Sequence, residues 1–219
     1  KHVDVNTAVA KHHSLWSPRG SRGVVNGNQL ILVLDPPLHR VGIWRLIELF
    51  NAHGIKATVF TPGRICELYP KAVAAVAAHG HEVADHMWEH QVPKDRQLEA
   101  DHLAKSTAAL TSTTGKRPVG TRSWHTAELL LAEGYIYNSH GAAHHHPCYT
   151  RDENDENCLL NLPFHYAIDD AMFFSFAWLA SENAAQRITE PERVMDMWWQ
   201  AFQQQYRQHH LLKDLDIEP

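Results

Sequence analysis

The 219-residue chain has little cysteine, no long apolar run and no excess of basic charge. Its three cysteines, Cys66, Cys148 and Cys158, contain no CxxC pair and are odd in number. A disulfide scaffold is therefore not expected in a chain this long, although Cys148 and Cys158 stay open as a pair. No stretch approaches about 18 apolar residues, so no membrane-spanning helix and no membrane partner are expected. Lys1-His2-Val3-Asp4 begins no apolar signal sequence, and a cytoplasmic location is the expectation that follows. Twenty Lys and Arg stand against 25 Asp and Glu, a net charge of −5. That balance lacks the basic stripe of a general nucleic-acid binder.

What is present is ordinary for a soluble globular protein, with 44% hydrophobic and 21% charged residues. The length fits a single domain over residues 1–219 and suffices to bury a core. The departure is histidine, 18 in all. Residues 1–28 are polar, carry Gly20, Gly23 and Gly27, and read as an extended lead-in segment.

Gln29 to Asp35 is then a nearly continuous apolar run ending in a carboxylate, the pattern of a strand buried on both faces. Pro36-Pro37 ends it. A helix is expected from Val41 to Ala52, carrying Val41, Trp44, Leu46, Ile47 and Phe50 near helical spacing and stopped by Gly54. Ile55 to Phe60 reads as a strand, Cys66 to His79 as a helix stopped by Gly80, and His81 to Ala84 as a strand. A helix from Lys94 to Thr113, a strand-like Arg117 to Ser123, a short helix from Thr126 to Glu133 and a strand over 135–138 follow. Strands alternating with helices imply a parallel sheet, as a barrel, complete or not, or as an open sheet. Residues 140–157, with His144-His145-His146, read as a polar loop. Leu159 to Pro163 reads as a short strand, and Pro191 to Gln208 as an amphipathic helix with Pro in its first turn.

The chain is organised around Gly80 to His90, whose centre is His86-x-x-x-His90. Two imidazoles four residues apart meet on one face of a helical turn, near enough to share one borderline metal ion. With so many histidines such a pair also arises by chance, so its context decides. The preceding residues form a strand, and ligands at the C-terminal end of a strand suit a parallel α/β fold. Asp85 is either a partner that holds an imidazole tautomer or a cap for the turn.

Several stretches together resemble the polysaccharide deacetylase family. They are His53 to Gly63, Gly80-His81-Glu82 through His90, Arg117 to Ser123, and Leu129 to Ser139. Leu160-Asn161-Leu162-Pro163, Ala167 to Asp170 and the Pro191 helix are similar to a sub-branch with peptidoglycan deacetylase-like, allantoinase-like and cyclic imide hydrolase proteins. The resemblance implies an α/β fold, a distorted or incomplete (β/α) barrel. It implies one divalent metal ion, zinc first, held by Asp35, His86 and His90 with one position open. It further implies that metal-bound water attacks a carbonyl, that Asp35 belongs to the catalytic machinery, and that Arg122 orients that carboxylate. The reaction expected is hydrolysis of a non-peptide C–N bond, in an N-acetylated sugar or a small cyclic amide or imide. Trp88, Trp124, Phe173 and Trp178 are the candidate walls of the substrate pocket, which would be an open groove for a glycan and a closed one for a small ring.

Two features depart from the family pattern. The first motif offers Asp35 where the family usually has two aspartates, and His209 and His210 follow no strand of the kind that carries the family's acidic histidine. The competing reading is therefore a ligand-binding module that kept the fold without the chemistry. Trp198-Trp199 on the last helix is a candidate contact between copies in a homo-oligomer.

Overall fold

The computed structural model describes residues 22–26, 29–33, 41–140, 147–151, 158–164, 169, 171–174 and 190–214. Asp35, Trp178 and the His144-His145-His146 run lie outside the described residues. The chain divides into two compact units, residues 1–165 and 166–219.

The first unit is an eight-stranded mixed sheet with helices in its connections. Strand β1 is Arg22–Asn26, β2 Gln29–Val33, β3 Ala57–Thr61, β4 Glu82–Asp85, β5 Gly120–Thr121, β6 Tyr137–Asn138, β7 Cys148–Arg151 and β8 Cys158–Asn161. Their order across the sheet is β1-β2-β3-β4-β5-β6-β8-β7. From β2 to β8 the neighbours run parallel, while β1 and β7 add antiparallel at the two ends. The parallel α/β centre is the expected one, and among the described residues the sheet is not closed.

The two end strands correct the reading of their segments. β1 lies inside the expected lead-in, and β7 inside the expected polar loop. Asn26 pairs with Gln29, so only Gly27-Asn28 separates the first two strands, a hairpin spacing. The β7–β8 register also bears on the cysteines. Cys148 stands opposite Asn161 and Cys158 opposite Arg151, three positions apart. That is about 10 Å along a strand, beyond the reach of a disulfide, and all three thiols are free.

Helix α1 is Gly42–His53, α2 Gly63–Leu68, α3 Pro70–Ala78, α4 Arg96–Thr114 and α5 Ala127–Ala132. On α1 the buried stripe is Ile43, Ile47 and Phe50, while Val41 and Trp44 are exposed. Gly54 closes the helix at φ 64°, as its position implies. The single helix expected over 66–79 is two, because Pro70 has no amide hydrogen to continue α2 and instead starts α3. On α4, Asp95 caps the first turn by accepting from the Leu98 amide at 2.9 Å.

Alternation along the strands separates two faces. Ala57 and Val59 join Ile43, Ile47, Phe50, Ile65, Val73, Val76 and Leu110 in the main core, under the helices. Each of the Val, Leu, Ile and Phe side chains among them stabilises the fold by about 1.5–3 kcal/mol when fully buried. On the other face, Glu82 accepts from Thr58 Oγ1 at 2.7 Å and from the Tyr137 hydroxyl at 2.9 Å. Gly120 lies under the Tyr137 ring, where a Cβ would overlap it.

In the second unit, helix α6 is Ala171–Phe174 and α7 is Pro191–Asp214, six residues longer than expected. His209 and His210 therefore sit within α7. Trp198 is half-buried against Phe173, at 6.3 Å between ring centres, and the exposed Trp199 stacks on Phe202 at 5.6 Å. No described helix is long and apolar enough to cross a membrane.

Candidate metal centre

The parallel strands end in register. Thr61 pairs with Asp85, Asp85 with Thr121, Thr121 with Asn138 and Asn138 with Asn161, a single row across the sheet. His86 leaves the row at the end of β4 and donates its amide to the Thr61 carbonyl at 3.1 Å.

The segment after His86 is not the expected helical turn. Met87 and His90 have φ of 65° and 62°, a left-handed conformation that side chains disfavour. The reason lies in where the backbone bonds go. Asp85 Oδ2 accepts from the Met87 amide at 3.0 Å. The first amides of α2, Gly63 and Arg64, donate to the Met87 and Trp88 carbonyls at 2.9 and 3.1 Å. These bonds leave the segment instead of running from i to i−4, and they satisfy a helix N-terminus that would otherwise lack partners. Backbone strain of this kind persists where surrounding structure over-determines it, as happens at functional sites.

The two imidazoles still meet. Their ring centres are 4.6 Å apart with planes inclined by 55°. His86 Nδ1 donates to the carbonyl oxygen of Arg122. That bond puts the ring hydrogen on Nδ1 and the ligating lone pair on Nε2, the arrangement by which a carbonyl orients a metal-binding histidine. His90 meets Trp124 edge-on at 5.7 Å, and Trp124 meets His140 in the same way at 5.3 Å. Burial, with help from the Arg122 charge, moves His140 below its ordinary pKa.

Asp85 is wholly buried. It receives the Met87 amide, Ser106 Oγ and, at 2.8 Å, Thr121 Oγ1. Burial pushes its carboxyl above the ordinary range, and those three donors together with the nearby His125 oppose the shift. Of its two expected roles, these bonds describe the cap of the turn, while the carbonyl of Arg122 holds the His86 tautomer.

Arg122 comes from the residue after β5. Its amide donates to the Asp85 carbonyl at 2.9 Å, its Nη1 donates to the Ser139 carbonyl at 2.9 Å, and its guanidinium lies 3.7 Å from the Phe164 ring centre. Trp124 is 52% exposed. Trp88 is only 5% exposed, with Lys105 Nζ 3.7 Å from its ring centre, so it packs under α4 rather than offering an open face. Phe173 belongs to the second unit.

Three neighbours escaped the sequence reading. Asn138 Nδ2 donates to the Ser123 carbonyl at 3.1 Å and its Oδ1 accepts the Ser123 amide at 3.2 Å, which holds the Arg122 loop to β6. Glu99 on α4 accepts from His125 Nδ1 at 3.3 Å and from the Thr126 amide at 2.8 Å. His140 is the third. The polar run of α4 was the available signal for Glu99, since it places Glu99, Leu103, Ser106 and Leu110 on one buried stripe.

Among the described residues no group of three or more His, Cys, Asp or Glu could hold a metal ion. His86 and His90 supply two nitrogen donors, and the expected third ligand, Asp35, lies outside them. The donor chemistry fits a divalent ion: two imidazoles in contact, one with its tautomer set for Nε2 ligation.

Residues 35–123 match the polysaccharide deacetylase family profile. A peptidoglycan deacetylase of Helicobacter pylori is 36% identical over 121 residues, 51% of this chain and 41% of that protein. A peptidoglycan deacetylase-like protein of Gibberella zeae is 34% identical over 123 residues, 52% of this chain and 36% of that protein. A Mycobacterium smegmatis structure named for polysaccharide deacetylase superposes with a TM-score of 0.67 at 27% identity, over 75% of this chain and 59% of that one. An allantoinase superposes with a TM-score of 0.66 at 23% identity, over 77% of this chain and 56% of that one, a likeness of fold. The chain thus spans less than half the length of these curated relatives. The likeness to that family lies within residues 35–123 of the chain.

Proposed function

We propose that the chain is one metal-dependent hydrolase domain over residues 1–219, cleaving the amide bond of N-acetylated sugars. The observation that carries the reading is the His86–His90 pair at the end of β4, with the His86 tautomer set by the Arg122 carbonyl. The names of the curated relatives favour a peptidoglycan-type sugar over a cyclic amide. The open face of Trp124 beside His90 also suits a sugar ring, because an exposed indole stacks on the apolar face of a pyranose.

His86 and His90 would hold the ion, zinc first, with Asp35 as third ligand. When bound, the metal supplies Lewis acidity that polarises the amide carbonyl and makes water a nucleophile near neutral pH. The reaction adds water oxygen to the carbonyl carbon, breaks the C–N bond and moves a proton to the departing nitrogen, giving acetate and a free amine. The protein's part is positioning. The Arg122 carbonyl fixes one imidazole, and the Asp85 cap fixes the turn that carries both.

The test is acetate release from N-acetylglucosamine oligomers and peptidoglycan fragments, beside a panel of cyclic amides and imides, with zinc added and with zinc chelated. Zinc-dependent acetate release supports the proposal. Turnover confined to cyclic amides would move the substrate class. Zinc binding without turnover of any amide would replace the hydrolase with a ligand-binding module.

A further inference from the structure

We propose that Glu99 is a positioning residue of the metal centre, acting through the loop of residues 122–126; the inference rests on the hydrolase reading above. Glu99 lies in the first turn of α4 and is 5% exposed. A buried carboxylate is costly unless hydrogen-bonded. The donors it collects all come from one place: His125 Nδ1 at 3.3 Å, the Thr126 amide at 2.8 Å and Thr126 Oγ1 at 3.3 Å. His125 is itself buried, and its Nε2 finds no hydrogen-bond partner among the described residues. The loop therefore accepts a polar side chain left partly unsatisfied in order to reach Glu99.

That loop carries both contacts that set the imidazoles. Its first residue, Arg122, offers the carbonyl that receives His86 Nδ1. Its third, Trp124, lies edge-on to His90. The Asn138 side chain holds the loop at Ser123, and Glu99 holds it at residues 125–126, so Trp124 is fixed from both sides. Ser106, seven residues after Glu99 on the same stripe of α4, donates to Asp85, the cap of the histidine turn. One helix face thus grips both halves of the centre, and Glu99 is the grip on the half that faces His90.

The test compares wild type, Glu99→Ala and Glu99→Gln. Glutamine keeps an oxygen for the Thr126 amide and alanine does not. Zinc affinity is read by competition with a chromophoric chelator, the ligand-field absorption of cobalt(II)-loaded protein reports the site itself, and thermal melts report the fold. The expected result is a loss of zinc affinity of about 10–100-fold in Glu99→Ala with an altered cobalt band, as for other groups that orient metal ligands. Glu99→Gln restores most of that loss. Should Glu99→Ala fail to fold, Thr126→Ala, which removes only the hydroxyl bond, weakens zinc binding about fivefold. A lower melting temperature with unchanged zinc affinity and an unchanged cobalt band would make Glu99 a structural residue and overturn the inference. Wild-type protein that binds no zinc would instead overturn the metal centre itself, which keeps the two failures apart.

Discussion

The ring of His86 is oriented by the main chain of Arg122, a residue 36 positions later, just past the end of the neighbouring strand. A carbonyl oxygen cannot be removed by side-chain substitution, so the orientation depends on the loop's path rather than on the identity of one partner. It also means that Arg122 contributes twice, by its carbonyl to His86 and by its guanidinium to Ser139 and Phe164. Substituting its side chain tests only the second role.

Replacing either imidazole should empty the centre. Zinc content of purified protein, about one ion per chain in wild type, is expected to fall close to zero in His86→Ala and in His90→Ala. Elemental analysis measures it. Full stoichiometry in both variants would show that the ion is held elsewhere.

Trp124→Ala separates recognition from folding. The ring is half exposed, so the melting temperature should move little, by less than about 0.5 kcal/mol in stability. KM for an N-acetyl sugar oligomer should rise, and zinc affinity should fall with it because the ring lies edge-on to His90. An unchanged KM in steady-state acetate release would remove Trp124 from the substrate contact.

Gly120→Ala attacks the face of the sheet away from the helices. The added methyl would occupy the space of the Tyr137 ring, which hydrogen-bonds to Glu82. Overpacking of this kind costs about 1–3 kcal/mol. The urea midpoint should fall accordingly, and a midpoint equal to wild type would mean that Tyr137 relocates freely.

His81 should make stability depend on pH. Its Nδ1 accepts from the Ala57 amide at 3.3 Å, so a proton placed there would face another donor. Burial first, then the Lys56 and His79 charges, move its pKa below the ordinary 6.5. The unfolded chain therefore takes up this proton first as pH falls, and the contribution present above about pH 6.5 is lost below it. Urea midpoints between pH 7.5 and 5 should fall less steeply in His81→Asn than in wild type. Equal slopes would remove His81 as a cause.

The thiols should react in the order of their exposure. Cys158 is exposed and Cys148 half-buried, whereas burial pushes the Cys66 thiol up to about 11. Labelling of native protein with an alkylating reagent should mark Cys158 and Cys148 well before Cys66. Mass spectrometry of native protein is expected to show no bond between Cys148 and Cys158, as their register implies.

Much of the fold was legible because it depends on local chemistry. The Gly54 stop, the long helix α4 and the alternation of strands with helices follow from residues close in sequence. The end strands were harder. β1 and β7 lie in polar segments whose pairing is decided across the sheet, not by their own pattern. Pro70 marks the break, but the Ala- and Val-rich run after it, Lys71 to Ala78, made the whole segment read as one helix.

The sequence by itself determined the alternation of the central strands and helices, the histidine pair and the Arg122 segment, since spacing and turn residues act over a few positions. Only the tertiary structure decided how the centre is built. The left-handed turn at Met87 and His90 exists because bonds from α2 and the Asp85 carboxylate replace helical ones. Glu99, 26 residues before His125, reaches it only once α4 has packed against β4. Contacts that long in sequence carry no periodic signal, and their energy is realised only when the chain has folded.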